Sequence, residues 1–284
     1  MKKCLIVINS YKEKASVLSE EVGDFLKDHE VECSYYSYNG RTYDNPVLPL
    51  TKGCCDFVIT MGGDGTVLFV SRVCAVLDIP VFPINFGEFG FLAAVQQDNW
   101  KNELLQFLQG KSYIGNRNLI GIEIIRESKS IFKSLGMNDA VISSEGSSSL
   151  INLNVAYNHA LLGPFKANGI IVSTATGSTA YSAAAGGPIA DPSLDILILT
   201  PISSFSLSAR PLIFGRDSEL AITVMPSRAD IRITADGQTN FELKENDVVI
   251  LGVSKYKAHL ISSTQEKFYL SLRSKLNWSG GPHA

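Results

Sequence analysis

Between residues 4 and 110 short apolar runs alternate with stretches of helical periodicity, and no other feature restricts the fold of this chain as strongly. Cys4 to Ile8 is an unbroken apolar run of strand length, the pattern of a strand buried on both faces. Leu18, Val22, Phe25 and Leu26 then recur at helical spacing and predict a helix over 14–29. A second strand is expected at 31–36 and a third at 56–61, which runs straight into Gly62-Gly63-Asp64-Gly65-Thr66 and a helical pattern over 67–77. A fourth strand follows at 79–85, and Trp100, Leu104, Leu105 and Leu108 mark a helix ending at Gly110. Strands alternating with helices require a parallel sheet with helices on its faces. Beyond Arg117 the texture changes. Short strands separated by turns are expected at 122–124, 150–157, 169–174, 196–200, 220–224, 230–234, 248–253 and 258–261, with one short helix at 178–185. The expected fold class is therefore α/β, with a parallel-sheet domain over 1–116 followed by a mostly antiparallel, β-rich domain over 117–262. The serine-rich stretch 143–149 reads as a surface loop. The tail 263–284 carries an apolar run at 268–272 that could return to the first domain, although nothing in the sequence places it.

Composition narrows the classes of function. The 284 residues are 45% hydrophobic and 19% charged, an ordinary globular balance for a chain long enough to bury a core. A net charge of -3 gives no field for nucleic acid or an anionic membrane, so neither is expected as a partner. The five cysteines have no metal-like or disulfide-like spacing and read as free thiols of a reducing compartment. The apolar run after Met1-Lys2-Lys3 is too short for a secretion signal, and no stretch is long enough to span a bilayer. A soluble, cytoplasmic protein is expected. His29, His159, His259 and His283 sit in no nucleophile or metal pattern, and Asn277-Trp278-Ser279 has glycosylation spacing by chance in such a chain.

Two strings carry chemistry. In Gly62-Gly63-Asp64-Gly65-Thr66, glycines allow a tight turn and bring backbone N–H groups close to an anion, and the following helix adds positive dipole. A carboxylate in such a place either caps the helix or has work to do: accepting a proton from an attacking hydroxyl, holding a divalent cation, or both. The pentapeptide resembles the signature shared by diacylglycerol kinases, sphingosine kinases, NAD kinases and, more distantly, phosphofructokinases, which fixes phosphoryl transfer to a hydroxyl and leaves the acceptor open. The second string runs from Gly169 through Ser173-Thr174-Ala175-Thr176-Gly177-Ser178-Thr179-Ala180-Tyr181-Ser182 to Ala185-Gly186-Gly187-Pro188. Hydroxyls and free N–H groups at a helix start suit a ribose, a phosphate or a base edge. The whole string resembles the NAD kinase family, and lipid kinases lack it. Asn85 with Gly87 and Gly90-Phe91-Leu92, Asn138-Asp139, Ser208-Ala209-Arg210-Pro211 and Asp236-Gly237-Gln238 agree with that family in order and spacing.

The resemblance implies a Rossmann-like N-terminal domain, a β-rich C-terminal domain and a homo-dimer or homo-tetramer. It implies Asp64 as the catalytic carboxylate, with Gly62, Gly63, Gly65, Thr66 and Asn85 lining the same site. It implies that Asn138 and Asp139 grip the acceptor and that Lys166 and Asn168 line its pocket. It implies that Thr179, Ala180, Tyr181, Ser182, Ala183 and Ala184 meet the adenosine part, with Thr176 and Gln238 as further binding residues. The substrates would be NAD and ATP, or inorganic polyphosphate as donor, with Mg²⁺ as the divalent metal and no side chain fixed as its ligand. The chain departs from the family at Phe69 (often Arg), Asn168 (often Asp), Phe205 (often His), Ala175 (usually Pro) and Asp139 (usually Glu). Two rivals remain at this point: a lipid kinase sharing only the glycine motif, and a dinucleotide sensor that has lost catalysis.

Overall fold

The computed structural model describes residues 1–40, 47–87, 90–145, 149–206 and 208–276. Asn277-Trp278-Ser279, His283 and the centre of the serine-rich stretch lie outside the described residues. The chain divides into two compact units, Met1–Arg117 with Lys257–Ala284, and Asn118–Tyr256.

The first unit opens with β1 (Lys2–Asn9), α1 (Glu13–Asp28), β2 (Val31–Tyr38), β3 (Phe57–Gly62), α2 (Asp64–Leu77), β4 (Val81–Asn85), the two-residue β5 (Val95–Gln96) and α3 (Trp100–Leu108). Its strands pair in parallel in the order β2-β1-β3-β4, with β5 on β4. Every residue of β3 and β4 is buried, as helices on both faces of a parallel sheet require. Phe57, Ile59, Met61, Phe82 and Ile84 pack there with Val22 and Leu26 of α1 and Leu104 of α3. Each such side chain contributes about 1.5–3 kcal/mol when fully buried. The chain leaves β1 towards β2 on one side and leaves β3 towards β4 on the other, so the direction of winding reverses between β1 and β3. In open α/β sheets ligands bind outside the carboxyl ends of the strands at such a reversal.

The second unit contains β6 (Ile114–Arg126, beginning in the first unit), β7 (Lys129–Gly136), β8 (Asp139–Ser144), β9 (Ile151–Tyr157), β10 (Ala160–Ala167), β11 (Gly169–Thr174), a 3₁₀ turn (Thr176–Thr179), α4 (Tyr181–Ala184), β12 (Ile196–Ile202), β13 (Leu212–Gly215), β14 (Glu219–Val224), β15 (Ile231–Ala235), β16 (Thr239–Leu243) and β17 (Val248–Ile261). One antiparallel sheet has the order β13-β12-β11-β8-β15-β16, and a second layer runs β10-β9-β14-β17 with β6 on β17 and β7 on β6. Alternate residues of both layers, such as Ile151, Leu153 and Val155 against Ile231 and Ile233, form one core. The chain then returns to the first unit. Leu260 near the end of β17 pairs with Val81, and α5 (Gln265–Leu276) follows, burying Phe268 and Leu272.

Several elements differ from expectation. The strands expected at 248–253 and 258–261 form one strand, because the polar stretch Ser254 to Lys257 is only partly buried and continues the pairing without a turn. β5, β7, β8, β10, β13 and β16 were not foreseen; in β7, β10 and β16 exposed Lys, Glu, Asn and Pro mask the alternation. The helix expected at 178–185 is a 3₁₀ turn followed by the four residues of α4. All five cysteines are free. Among the described residues no helix is long and apolar enough to cross a membrane.

Candidate active site

The glycine turn sits at the carboxyl end of β3, beside the reversal of winding. Gly63 is the N-cap of α2 in an extended conformation, and Asp64 is the first helical residue. Gly62 is demanded by close packing: an added Cβ would overlap the Thr66 hydroxyl, which itself accepts from Asn9 Nδ2 at 3.1 Å. Over Gly63 there is open space, with no atom within 4 Å of an added Cβ. The Asp64 side chain does not cap its own helix. Instead it reaches across to the segment after β4, where the N–H of Phe91 donates to Oδ2 at 3.0 Å and those of Leu92 and Ala93 donate to Oδ1 at 3.2 and 3.0 Å. Gly90 lies so close beneath the carboxylate that any side chain there would strike it. An ionised carboxylate offers about four lone-pair sites. Three are filled by these N–H groups, so the Asp64 carboxylate is fixed in direction. Asn85 is buried and turns its Oδ1 onto the N–H of Gly87 at 3.1 Å, which makes it a brace of the adjoining loop.

In the second unit the segment 137–139, between β7 and β8, is clamped from two directions. Asp236 accepts the N–H groups of Met137, Asn138 and Asp139 at 2.8, 2.7 and 3.1 Å and donates its own N–H to the Asp139 carbonyl at 3.0 Å. On the other side the Asn138 carbonyl accepts the Thr174 N–H at 2.8 Å, and the Met137 carbonyl accepts the Thr174 hydroxyl at 2.6 Å. Gly177 packs on the Asn138 backbone with no room for a Cβ. The clamp fixes the main chain and leaves the side chains of Asn138 and Asp139 unclaimed: no hydrogen-bond donor among the described residues reaches the Asp139 carboxylate, although it is only 4% exposed. Burial, and then the charge of Asp236, push its pKa up to about 7. A nearly buried, unpaired carboxyl is costly, and such groups collect at functional sites. The Thr176 hydroxyl, in the turn beside this segment, is likewise buried without a protein partner.

The remaining expected residues fall into two groups. Lys166, Asn168, Thr176, Thr179, Ala180 and Tyr181 lie on β10, the β10–β11 junction and the turn after β11, and Lys166 and Tyr181 are exposed. Ser182 is fully buried and bonds Thr200 at 3.0 Å under Gly187, so its hydroxyl holds the turn together. Phe205, where the family often has His, lies 5.4 Å from the Lys166 ammonium and holds it by a cation–π contact. Phe69 is buried and stacks on Tyr38 at 4.6 Å, a core residue that leaves the family's Arg without a substitute at that position. Asp236, which positions segment 137–139, was not singled out from the sequence. Asp236-Gly237 forms the left-handed centre of a tight turn, with φ of 52° and 65° and the Gln238 N–H on the Ala235 carbonyl. Asp-Gly between two apolar runs is the signal that would have placed a hairpin there.

An ionisable stability effect follows directly. The Asp139 pKa is raised above the unfolded value of about 3.9, so its ionisation costs the folded state nothing below pH 4, increasingly between pH 4 and 7, and most above 7. Replacing Asp139 with Asn is expected to raise the thermal midpoint at pH 8 and to give no advantage at pH 4. Equal shifts at both pH values in calorimetry would contradict a buried, unpaired carboxyl.

A glycine turn that presents a fixed carboxylate, and a β-rich unit that buries the Asp139 carboxyl and the Thr176 hydroxyl, fit a phosphotransferase of the Gly-Gly-Asp class. Comparison with known proteins narrows this. The ATP-NAD kinase N-terminal domain family matches residues 4–112 and the ATP-NAD kinase C-terminal domain family matches residues 137–263. An NAD kinase of Treponema denticola is 44% identical over 99% of this chain and 98% of its own length, and one of Treponema pallidum is 37% identical over 98% of this chain and 90% of its own. Among solved structures, a yeast NADH kinase complexed with NADH aligns with a TM-score of 0.82 at 21% identity, covering 99% of this chain and 89% of that one. An NAD kinase from Archaeoglobus fulgidus in complex with ATP aligns with a TM-score of 0.75 at 22% identity, covering 97% and 98%. The chain belongs to the NAD kinase family.

Proposed function

We propose that the protein transfers the terminal phosphoryl group of ATP to the 2′-hydroxyl of the adenosine ribose of NAD, giving NADP and ADP. The observation that carries this reading is Asp64, whose carboxylate is aimed by three backbone N–H groups. The acceptor hydroxyl donates to the Asp64 carboxylate, its oxygen bonds to phosphorus, the bond from phosphorus to the bridging oxygen breaks, and the proton passes to Asp64. Backbone N–H groups at the start of α2 hold donor phosphate. Among the described residues no group of three or more His, Cys, Asp or Glu side chains could cage a metal. Mg²⁺ bound together with the donor phosphates would offset their charge.

In the second unit Asn138, Asp139, Lys166, Asn168, Thr176, Thr179, Tyr181 and Gln238 receive NAD. The Asp139 carboxylate accepts from ribose hydroxyls and so binds best when ionised. The KM for NAD is expected to fall as the pH rises through about 7, and this slope should be absent in Asp139→Asn. Replacing Asp236 with Asn removes a neighbouring charge, which should move the slope to lower pH. Five free thiols agree with a cytoplasmic setting. A dimer or tetramer is supported by exposed Leu161 and Leu162 on β10, at the end of its sheet. The test of the whole reading is incubation of purified protein with NAD, ATP and Mg²⁺, with NADP detected by an NADP-specific dehydrogenase. Sustained NADP production is expected; stoichiometric NAD binding without turnover would put a sensor in its place.

A further inference from the structure

A cavity of about 400 Å³ opens in the first unit where the direction of winding reverses, lined by Tyr11, Lys12, Lys14, Phe86, Gly87 and Gln97. Its walls come from the turn after β1, the start of α1 and the segment after β4. Both walls are tied to the glycine turn. Asn9, the last residue of β1, donates to the Thr66 hydroxyl, and the Phe86 N–H donates to the Gly62 carbonyl at 2.9 Å. The turn that carries the lysines is itself held in place: Ser10 N–H bonds the Tyr38 carbonyl at 2.9 Å, Tyr11 N–H the Asn9 side chain at 3.1 Å and Lys12 N–H the Asn9 carbonyl at 3.0 Å. Lys12 is the N-cap of α1, and no side chain caps that helix. Neither lysine has an ion-pair partner among the described residues, and both line this one pocket.

We propose that Lys12 and Lys14 form a docking site for the phosphoanhydride chain of the phosphoryl donor, holding the phosphates that are not transferred. Charge and position both favour this occupant. A triphosphate or longer chain carries more negative charge than the single diphosphate of a dinucleotide, and it gains correspondingly more from two ammonium groups and an uncapped helix start. The pocket adjoins the glycine turn, where the terminal phosphate must lie for Asp64 to face the acceptor hydroxyl. Lysines grip phosphate as point charges and demand no base, so the site serves ATP and inorganic tripolyphosphate alike. This inference rests on the kinase reading above.

The test uses the full chain carrying Lys12→Gln and Lys14→Gln together, with Lys12→Arg and Lys14→Arg as the charge-retaining control. Binding of ATP and of tripolyphosphate is measured by calorimetry without NAD, at low and high salt, and the KM values for ATP and NAD are measured in parallel. Removing both charges is expected to weaken ATP and tripolyphosphate by about tenfold or more each. The NAD KM should stay within twofold, the salt dependence of donor binding should flatten, and the arginine pair should restore most of the affinity. Unchanged binding of both donors would overturn the proposal and make the lysines solvated surface groups. Weaker ATP with unchanged tripolyphosphate would overturn it in favour of a nucleoside contact, and a raised NAD KM alone would assign the cavity to the acceptor. If the native chain binds both donors but never forms NADP, the kinase reading fails while the docking site stands.

Discussion

Replacing Asp64 with Asn is expected to lower kcat by about 10²–10⁴-fold, the usual range for loss of a positioned general base. KM for NAD should remain close to the native value, because the groups proposed to grip NAD lie elsewhere. An amide keeps one oxygen, which can still accept from Leu92 and Ala93, but it turns an NH₂ towards the Phe91 N–H. A charge-assisted bond is therefore lost as well as a base, at a cost of about 1.5–3 kcal/mol. The two effects separate experimentally. The melting temperature reports the lost bond, and single-turnover rates with saturating NAD and ATP report the lost base. Turnover within tenfold of native, in a folded variant, would remove Asp64 from the chemistry.

The second large effect is expected at Gly177. A methyl group there meets the carbonyl oxygen, carbonyl carbon and Cα of Asn138, and all three are backbone atoms that cannot swing aside. Gly177→Ala must therefore part the turn after β11 from segment 137–139, breaking the bonds from Thr174 to Asn138 and Met137. Overpacking costs about 1–3 kcal/mol before those bonds are counted. At about 2–4 °C per kcal/mol for a unit of this size, a drop of several degrees is expected, together with at least a tenfold rise in the KM for NAD. ATP affinity should not change. Native melting and native KM would show that the clamp does not set the geometry of Asn138 and Asp139.

Much of this was legible in the sequence where the physics is local. The strand–turn–helix around Asp64 could be read because buried parallel strands are continuously apolar and the glycines fall at the turn. Asn138-Asp139 could be read only through the family resemblance, since a short polar pair between strands has no periodicity of its own. Asp236 was passed over in favour of Gln238, because its importance depends on a meeting with residues almost a hundred positions away. Phe69 shows the converse. It stands where the family often has Arg, and it is a buried residue stacked on Tyr38. The strand β7 escaped notice because exposed Lys129 and Lys133 obscure its alternation, and β10 because its exposed positions include apolar Leu161 and Leu162.

The return of the chain to its first unit has a consequence during synthesis. The loop that aims Asp64 is itself held from behind, since the Ser271 hydroxyl on α5 donates to the Gly90 carbonyl at 3.0 Å. Lys267 of the same helix bonds Glu103 of α3 at 2.6 Å, and Arg117 bonds the Ser263 hydroxyl at 2.8 Å. A ribosome that has made only the first 117 residues has produced β1–β4 but none of these ties. The glycine turn can form early, yet the cradle around its carboxylate waits for residues 257–276. Chains that stop short of residue 257 should therefore carry the glycine turn without the ties that brace the loop facing Asp64.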